Sequence, residues 1–145
     1  MAETALPASL AAIQDDFLAL DPGERLQLLL EFSQSLPELD ERYRDHPDLL
    51  ERVVECQSPV YLFVDVVDGI VRINVTAPRE SPTTRGFASI LHEGLDGLTV
   101  EEVLGVPADY PLELGITEAV SPLRIRGMIG MLGRIQRQVR EKSAA

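Results

Sequence analysis

Val60-Tyr61-Leu62-Phe63-Val64-Asp65-Val66-Val67-Asp68-Gly69-Ile70-Val71-Arg72-Ile73-Asn74-Val75-Thr76-Ala77 is the stretch from which the fold follows. Two runs rich in β-branched and aromatic residues flank Asp68-Gly69, a pair suited to the positive φ angles of a type I′ turn. A two-residue loop sets the register, so Val67 faces Ile70 and Asp65 faces Arg72. Leu62, Val64, Val66, Val71, Ile73 and Val75 then share one apolar face. Tyr61, Phe63, Asp65, Arg72, Asn74 and Thr76 share the other, with Asp65 and Arg72 as an expected cross-strand ion pair. A lone hairpin is marginal in water, so helices must cover its apolar face. The segment Arg52 to Cys56 is the candidate third strand.

Five helical segments surround the hairpin. The first runs from Ser9 to Leu20, with Leu10, Ile13, Phe17 and Leu20 on one face. Asp21-Pro22-Gly23-Glu24 opens the second, which carries Leu26, Leu29, Leu30, Phe32 and Leu36 and stops before Pro37. Pro37 to Leu50 is a charged connection of loop or short helical turns. Ser81-Pro82 opens the third helix, which turns Phe87, Ile90, Leu91, Leu95 and Leu98 inward and stops near Gly97. Arg85, Ser89, His92 and Asp96 fall on its opposite, solvent-facing side. Thr99-Val100-Glu101-Glu102 is a capping box for a short helix ending near Gly105. Pro107 to Thr117 is irregular or briefly helical. Ser121-Pro122 opens the last helix, with Ile125, Met128, Ile129, Leu132, Ile135 and Val139 as its buried stripe. Gly127, Gly130 and Gly133 inside it each cost about 1 kcal/mol against alanine, which points to close approach of another backbone. The expected class is α+β: a small antiparallel sheet of about three strands covered by helices, one domain over 1–145, with loose ends at 1–8 and 142–145.

The chain has 145 residues and a formal net charge of −11. Such a balance argues against nucleic acid, which needs clustered Lys and Arg. Thirteen acids and four arginines precede Cys56, whereas from Arg124 onward there are five arginines, Lys142 and the single acid Glu141. This asymmetry suits a solvated acidic surface, or an acidic face that docks a basic partner. No apolar run is long enough to span a bilayer. Met1-Ala2-Glu3-Thr4 lacks the features of a signal peptide. The expected location is cytoplasmic, where a single thiol stays reduced.

Cys56 is the only cysteine. It can form no internal disulfide and no thiolate-rich metal site. One reading makes it a small buried hydrophobe, as free cysteine often is. Another makes it a lone nucleophile or sulfur carrier. A cysteine hydrolase needs a base, and only His46 and His92 exist; the first sits in the charged loop and the second on a solvated helix face. Two histidines and scattered carboxylates have no metal-ligand spacing. Sulfur-to-sulfur transfer needs neither base nor oxyanion hole, only a reachable, sheltered thiol and a nearby cation. Glu55 beside the thiol works against the thiolate.

The ordered motifs resemble the SufE family of sulfur-acceptor proteins in iron–sulfur cluster assembly, across roughly Pro22 to Arg137. Cys56-Gln57-Ser58 runs directly into Val60-Tyr61 and a hydrophobic strand. Glu24-Arg25 through Ser35-Leu36-Pro37-Glu38-Leu39 is similar to the family's upstream helix. Arg85-Gly86 and Leu98-Thr99-Val100-Glu101-Glu102-Val103-Leu104 resemble its next helix and capped turn. Leu114-Gly115-Ile116-Thr117-Glu118-Ala119-Val120-Ser121-Pro122-Leu123-Arg124, then Gly127-Met128, resembles its final helix start. The chain departs from the family pattern at Glu55, Pro59 and Tyr61, where glycine, a polar residue and tryptophan are usual, and at the turn Ala77-Pro78-Arg79-Glu80-Ser81-Pro82.

The resemblance implies a scaffold-like α+β fold with Cys56 on a loop at one edge of the sheet. It implies that Cys56 accepts sulfane sulfur from a cysteine desulfurase and passes it to an iron–sulfur scaffold protein, and that binding stimulates the desulfurase. Glu55, Gln57, Ser58 and Pro59 would form the sheltering loop, and Arg124 would support the thiolate. No metal or resident cofactor is implied beyond a transient persulfide, and the chain is read as a sulfur-transfer accessory protein more than a stand-alone enzyme. A rhodanese-like sulfurtransferase is an alternative donor. An interaction module that activates its partner without carrying sulfur is the rival reading.

Overall fold

The computed structural model describes residues 6–143. A three-stranded antiparallel sheet in the order β1 (Glu51–Arg52), β2 (Tyr61–Val67), β3 (Ile70–Thr76) lies at its centre. Val67 pairs with Ile70 and Asp65 with Arg72, and Asp68 and Gly69 take φ of 54° and 77° as the turn requires. Leu62, Val64, Val71, Ile73 and Val75 are buried. The helices are α1 (Ala8–Leu18), α2 (Pro22–Phe32), α3 (Glu41–Arg44), α4 (Pro82–Leu95), α5 (Val100–Leu104) and α6 (Pro122–Ser143). The class is α+β, as expected. None of the described helices is long and apolar enough to cross a membrane.

Both edges of the hairpin are closed by something other than a full strand. On the β3 side, the segment after α4 takes over: the Val71 and Gly97 amides donate to Leu98 O and Val71 O, each at 2.8 Å. On the β2 side, β1 stops after two residues. Beyond it, α6 replaces the missing strand: Val64 N–H donates to Gln138 Oε1 at 2.8 Å, and the Lys142 ammonium donates to Val64 O. Unpaired backbone groups in this setting are costly, so the two side chains act as a strand surrogate.

Several expectations are corrected. The third strand covers Glu51–Arg52 instead of Arg52 to Cys56. Val53 still donates to Val60 O at 2.9 Å, but Pro59 has no N–H to extend the ladder. The second helix ends at Phe32, short of Leu36, because Ser33 Oγ turns back to Leu30 O at 2.5 Å and Arg85 Nε captures Ser33 O at 2.9 Å. The first helix closes at Leu18 instead of Leu20. The Asp65–Arg72 ion pair does not form. Arg72 turns to Asp96 at 3.3 Å and Asp65 to Arg42 at 3.5 Å, since Asp96 is already held at the sheet edge by the Ile73 amide at 2.8 Å.

The mixed sheet face is not left to solvent either. Tyr43 from α3 is buried against Phe63, with ring centroids 4.8 Å apart, and Lys142 Nζ sits 3.5 Å from the Phe63 centroid. Nor is the Arg85–Ser89 side of α4 solvated. Ser89 is buried and Arg85 bonds two backbone carbonyls, because α4 is enclosed by α1, α2, α6 and β3. The expected loose ends fall mostly outside the described residues. Within them, Ala8 opens α1 and Lys142 lies in α6.

Gln138→Leu removes the acceptor of the buried Val64 amide. It is expected to lower stability by about 1–3 kcal/mol in urea unfolding, the usual cost of an orphaned buried donor.

Candidate functional site

Cys56 sits in the connection between β1 and β2, and this loop folds back as a closed turn. The Cys56 amide donates to Val53 O at 3.1 Å and the Val60 amide to Ser58 O at 2.8 Å. The loop is clamped from two sides. Ser58 Oγ and Ser81 Oγ lie 2.6 Å apart, joining it to the start of α4. Against α6, the Cys56 thiol donates weakly to Gly127 O, with S···O 3.6 Å.

The glycines of α6 explain how the loop comes so near. A Cβ on Gly127 would stand 3.0 Å from Cys56 Sγ, and one on Gly130 would stand 2.8 Å from three side-chain carbons of Glu55. The cost of glycine inside a helix is therefore offset by docking of the sulfur loop. Gly133 departs from that expectation, with open space where its Cβ would be.

Cys56 is 7% exposed, and a cavity of about 50 Å³ lies over the thiol. Gln57, Ser58, Thr84, Leu123, Arg124 and Gly127 complete its lining. One water needs only about 10–15 Å³ measured this way, so the cavity has room for an added sulfur atom. Neither histidine lines it; His46 is exposed on the α3 side. Among the described residues no cluster of three or more metal-ligating side chains occurs.

Burial pushes the Cys56 thiol up to about 11; the Glu55 carboxylate adds to the rise and Arg134 opposes it. The bond to Gly127 O also exists only while the thiol is protonated. At rest, then, the site stores a neutral thiol.

The charges beside the thiol form a bridge. Arg134 Nε donates to Glu55 Oε1 at 2.8 Å and its NH1 to Glu51 Oε2 at 2.5 Å. Glu51 also accepts from Arg137, and from Gln138 Nε2 at 2.8 Å. The bond from Arg134 holds the Glu55 carboxyl below the ordinary range, against its burial. Burial would raise Glu51, but bonds from Arg137, Arg134 and Gln138 outweigh it and lower it. Folded values below the unfolded ones mean that this stability is present above the ordinary glutamate range and lost as pH falls through the lowered values.

Of the residues singled out in the sequence, Cys56, Gln57, Ser58 and Arg124 meet at the cavity. Arg124 is exposed at its rim, and no carboxylate among the described residues pairs with it. Glu55 turns away to Arg134, and Pro59 is exposed behind the loop. Arg134, Ser81 and Thr84 were not singled out. Arg134 was within reach of pattern reading, since Gly127, Gly130 and Arg134 share one face of α6 at spacings of three and four.

A family model for SufE, the Fe-S metabolism associated domain, matches residues 11–139. The chain belongs to the SufE family. An uncharacterized SufE-like protein of Mycobacterium tuberculosis is 48% identical over 141 residues, 97% of each chain. SufE-like protein 1, chloroplastic/mitochondrial, of Arabidopsis thaliana is 29% identical over 134 residues, 92% of this chain and 35% of that one. The solution structure of a hypothetical protein from Thermus thermophilus superposes with a TM-score of 0.85 at 37% identity, covering 97% of this chain and 100% of that one. The resemblance read from the motifs is thereby established as SufE membership, and with it a link to iron–sulfur metabolism. Beside the cysteine of this SufE chain, the Glu55 carboxylate is held by Arg134 at 2.8 Å.

Glu55→Gln removes the nearby negative charge and is expected to bring the Cys56 pKa below about 11. The pH profile of thiol alkylation reads this directly; an unchanged or higher value would show that the Glu55 charge does not raise the thiol pKa.

Proposed function

We propose that the protein is a persulfide carrier: Cys56 takes sulfane sulfur from a cysteine desulfurase, and the carrier delivers it toward iron–sulfur cluster assembly. The observation that supports this reading most is the lone thiol on a pinned turn, beneath a cavity with room for one more sulfur atom. The Cys56 thiolate attacks the terminal sulfur of the donor persulfide. A new S–S bond forms at Cys56 Sγ, the donor's S–S bond breaks, and the donor leaves as a thiolate that takes up the proton Cys56 has lost. Cys56–SH and donor–S–SH become Cys56–S–SH and donor–SH, with no net oxidation or reduction.

A thiol with a pKa of about 11 is almost wholly protonated near neutral pH, and at 7% exposure it is out of a partner's reach. Transfer therefore requires the turn from Glu55 to Pro59 to lift off α6, which also restores solvent to the sulfur and lowers its pKa. Docking that lifts the loop couples partner binding to activation, and occupation of the donor's site stimulates the desulfurase. Arg124 at the cavity rim is the proposed cation for the emerging thiolate. The final acceptor is an iron–sulfur scaffold protein, and the proposed compartment is the cytoplasm, where a free thiol persists.

The same burial favours one rival, a module that docks on and activates a desulfurase or a rhodanese-like sulfurtransferase without carrying sulfur. Intact mass after incubation with a cysteine desulfurase and free cysteine separates the two. The carrier gains one sulfur atom, and Cys56→Ser gains none. Desulfurase stimulation that persists in Cys56→Ser, with no mass gain in the wild type, would establish the rival. For Arg124, the expected result is a higher Cys56 pKa in Arg124→Ala; an unchanged thiol titration removes its role.

A further inference from the structure

A second concavity lies beside the first turn of α4, and its lining is positive where the chain as a whole is negative. It measures about 330 Å³ and is lined by Leu36, Pro37 and Leu39, by Thr76 at the end of β3, and by Arg44, Arg79 and Arg85. Glu38 is the one carboxylate in its wall. It meets Arg44 loosely, at 3.7 Å, with both side chains exposed. Three arginines against one carboxylate in its lining is an unusual balance in a chain of net charge −11.

Arg85 is the key group. It is half-buried, and its donors go to backbone carbonyls, Nε to Ser33 O at 2.9 Å and NH1 to Ala77 O at 2.6 Å. Those carbonyls supply dipoles but no counter-charge. Arg79, exposed at the rim, adds a second positive charge without an ion-pair partner among the described residues. Both burial and this neighbour work against the Arg85 charge. An incoming carboxylate would relieve that repulsion, with the exposed Arg79 guanidinium open to bond it.

The cleft and the thiol cavity are lined by consecutive residues of α4. Thr84 lines the cavity over Cys56, and the next residue, Arg85, lines the cleft. Ser81, bonded to Ser58 of the sulfur loop, lies two residues beyond Arg79. We infer that the Arg44–Arg79–Arg85 cleft is the docking site for an acidic peptide segment of the sulfur-exchanging partner, seated beside the Cys56 loop. The apolar wall of Leu36, Pro37 and Leu39 suits a peptide, which brings side-chain carbon as well as charge. The identity of the partner rests on the carrier reading; the cleft's preference for acidic peptide does not.

The test titrates the full chain with a synthetic hexapeptide of Glu and Asp and follows the side-chain Nε–H signals of Arg79 and Arg85 by NMR. Saturable shifts that weaken with added salt and vanish in Arg79→Glu are expected. Absence of saturation at millimolar peptide, shifts unchanged in Arg79→Glu, or equal shifts from inorganic phosphate at the same concentration would overturn the inference. Arg79 is exposed, so the variant should melt like the wild type. In sulfur transfer from a desulfurase, Arg79→Glu is expected to raise the partner's KM about tenfold with little change in kcat, the effect of losing one well-placed charge contact. An unchanged KM overturns the inference. A wild type that takes no sulfur, yet binds the hexapeptide as described, sinks the carrier reading alone.

Discussion

The close approach of the β1–β2 turn to α6 is the contact on which the rest of the site depends. Two glycines let the turn come to where an added Cβ would crowd Cys56 Sγ at 3.0 Å and the Glu55 side chain at 2.8 Å. With the turn seated there, the thiol is buried, its proton is held against Gly127 O, and the cavity above it stays small. Further along, the same helix supplies Gln138 and Lys142 to the open edge of β2. One helix therefore closes the sheet and covers the sulfur. A short β1 is part of this arrangement, since a full third strand would occupy the edge that α6 uses.

Electrostatics within the site act in opposition. Burial and Glu55 keep the thiol neutral, while the positive charge of Arg134, which bridges Glu55 and Glu51, opposes them. Such a partly exposed ion bridge contributes modestly to stability, and its effect is mainly positional. It ties the loop to α6 at Glu55, as Ser58 and Ser81 tie it to α4. A resting state closed in this way protects a thiol whose chemistry needs exposure only when a partner is present.

The family was legible in the order of short motifs, and the hairpin in its alternation and turn. Helix positions were legible from caps and prolines, though not their ends. Phe32 closes α2 because Arg85, more than fifty residues away, takes the Ser33 carbonyl. Asp65 and Arg72 were well placed for an ion pair across the hairpin, yet each found a partner outside it. The α6 glycines signalled that something packs closely there, and only folding identified it as the cysteine loop.

What the sequence alone determined are the features encoded by neighbours in the chain: strand register, turn type, caps and apolar stripes. Their spacing follows from backbone geometry and needs no distant partner. The tertiary structure alone decided the state of the thiol. Gly127 is 71 positions from Cys56, and Arg134 is 79 from Glu55. Burial and charge pairing arise from groups brought together in space, so the pKa and shelter of a cysteine belong to the fold and not to its flanking residues.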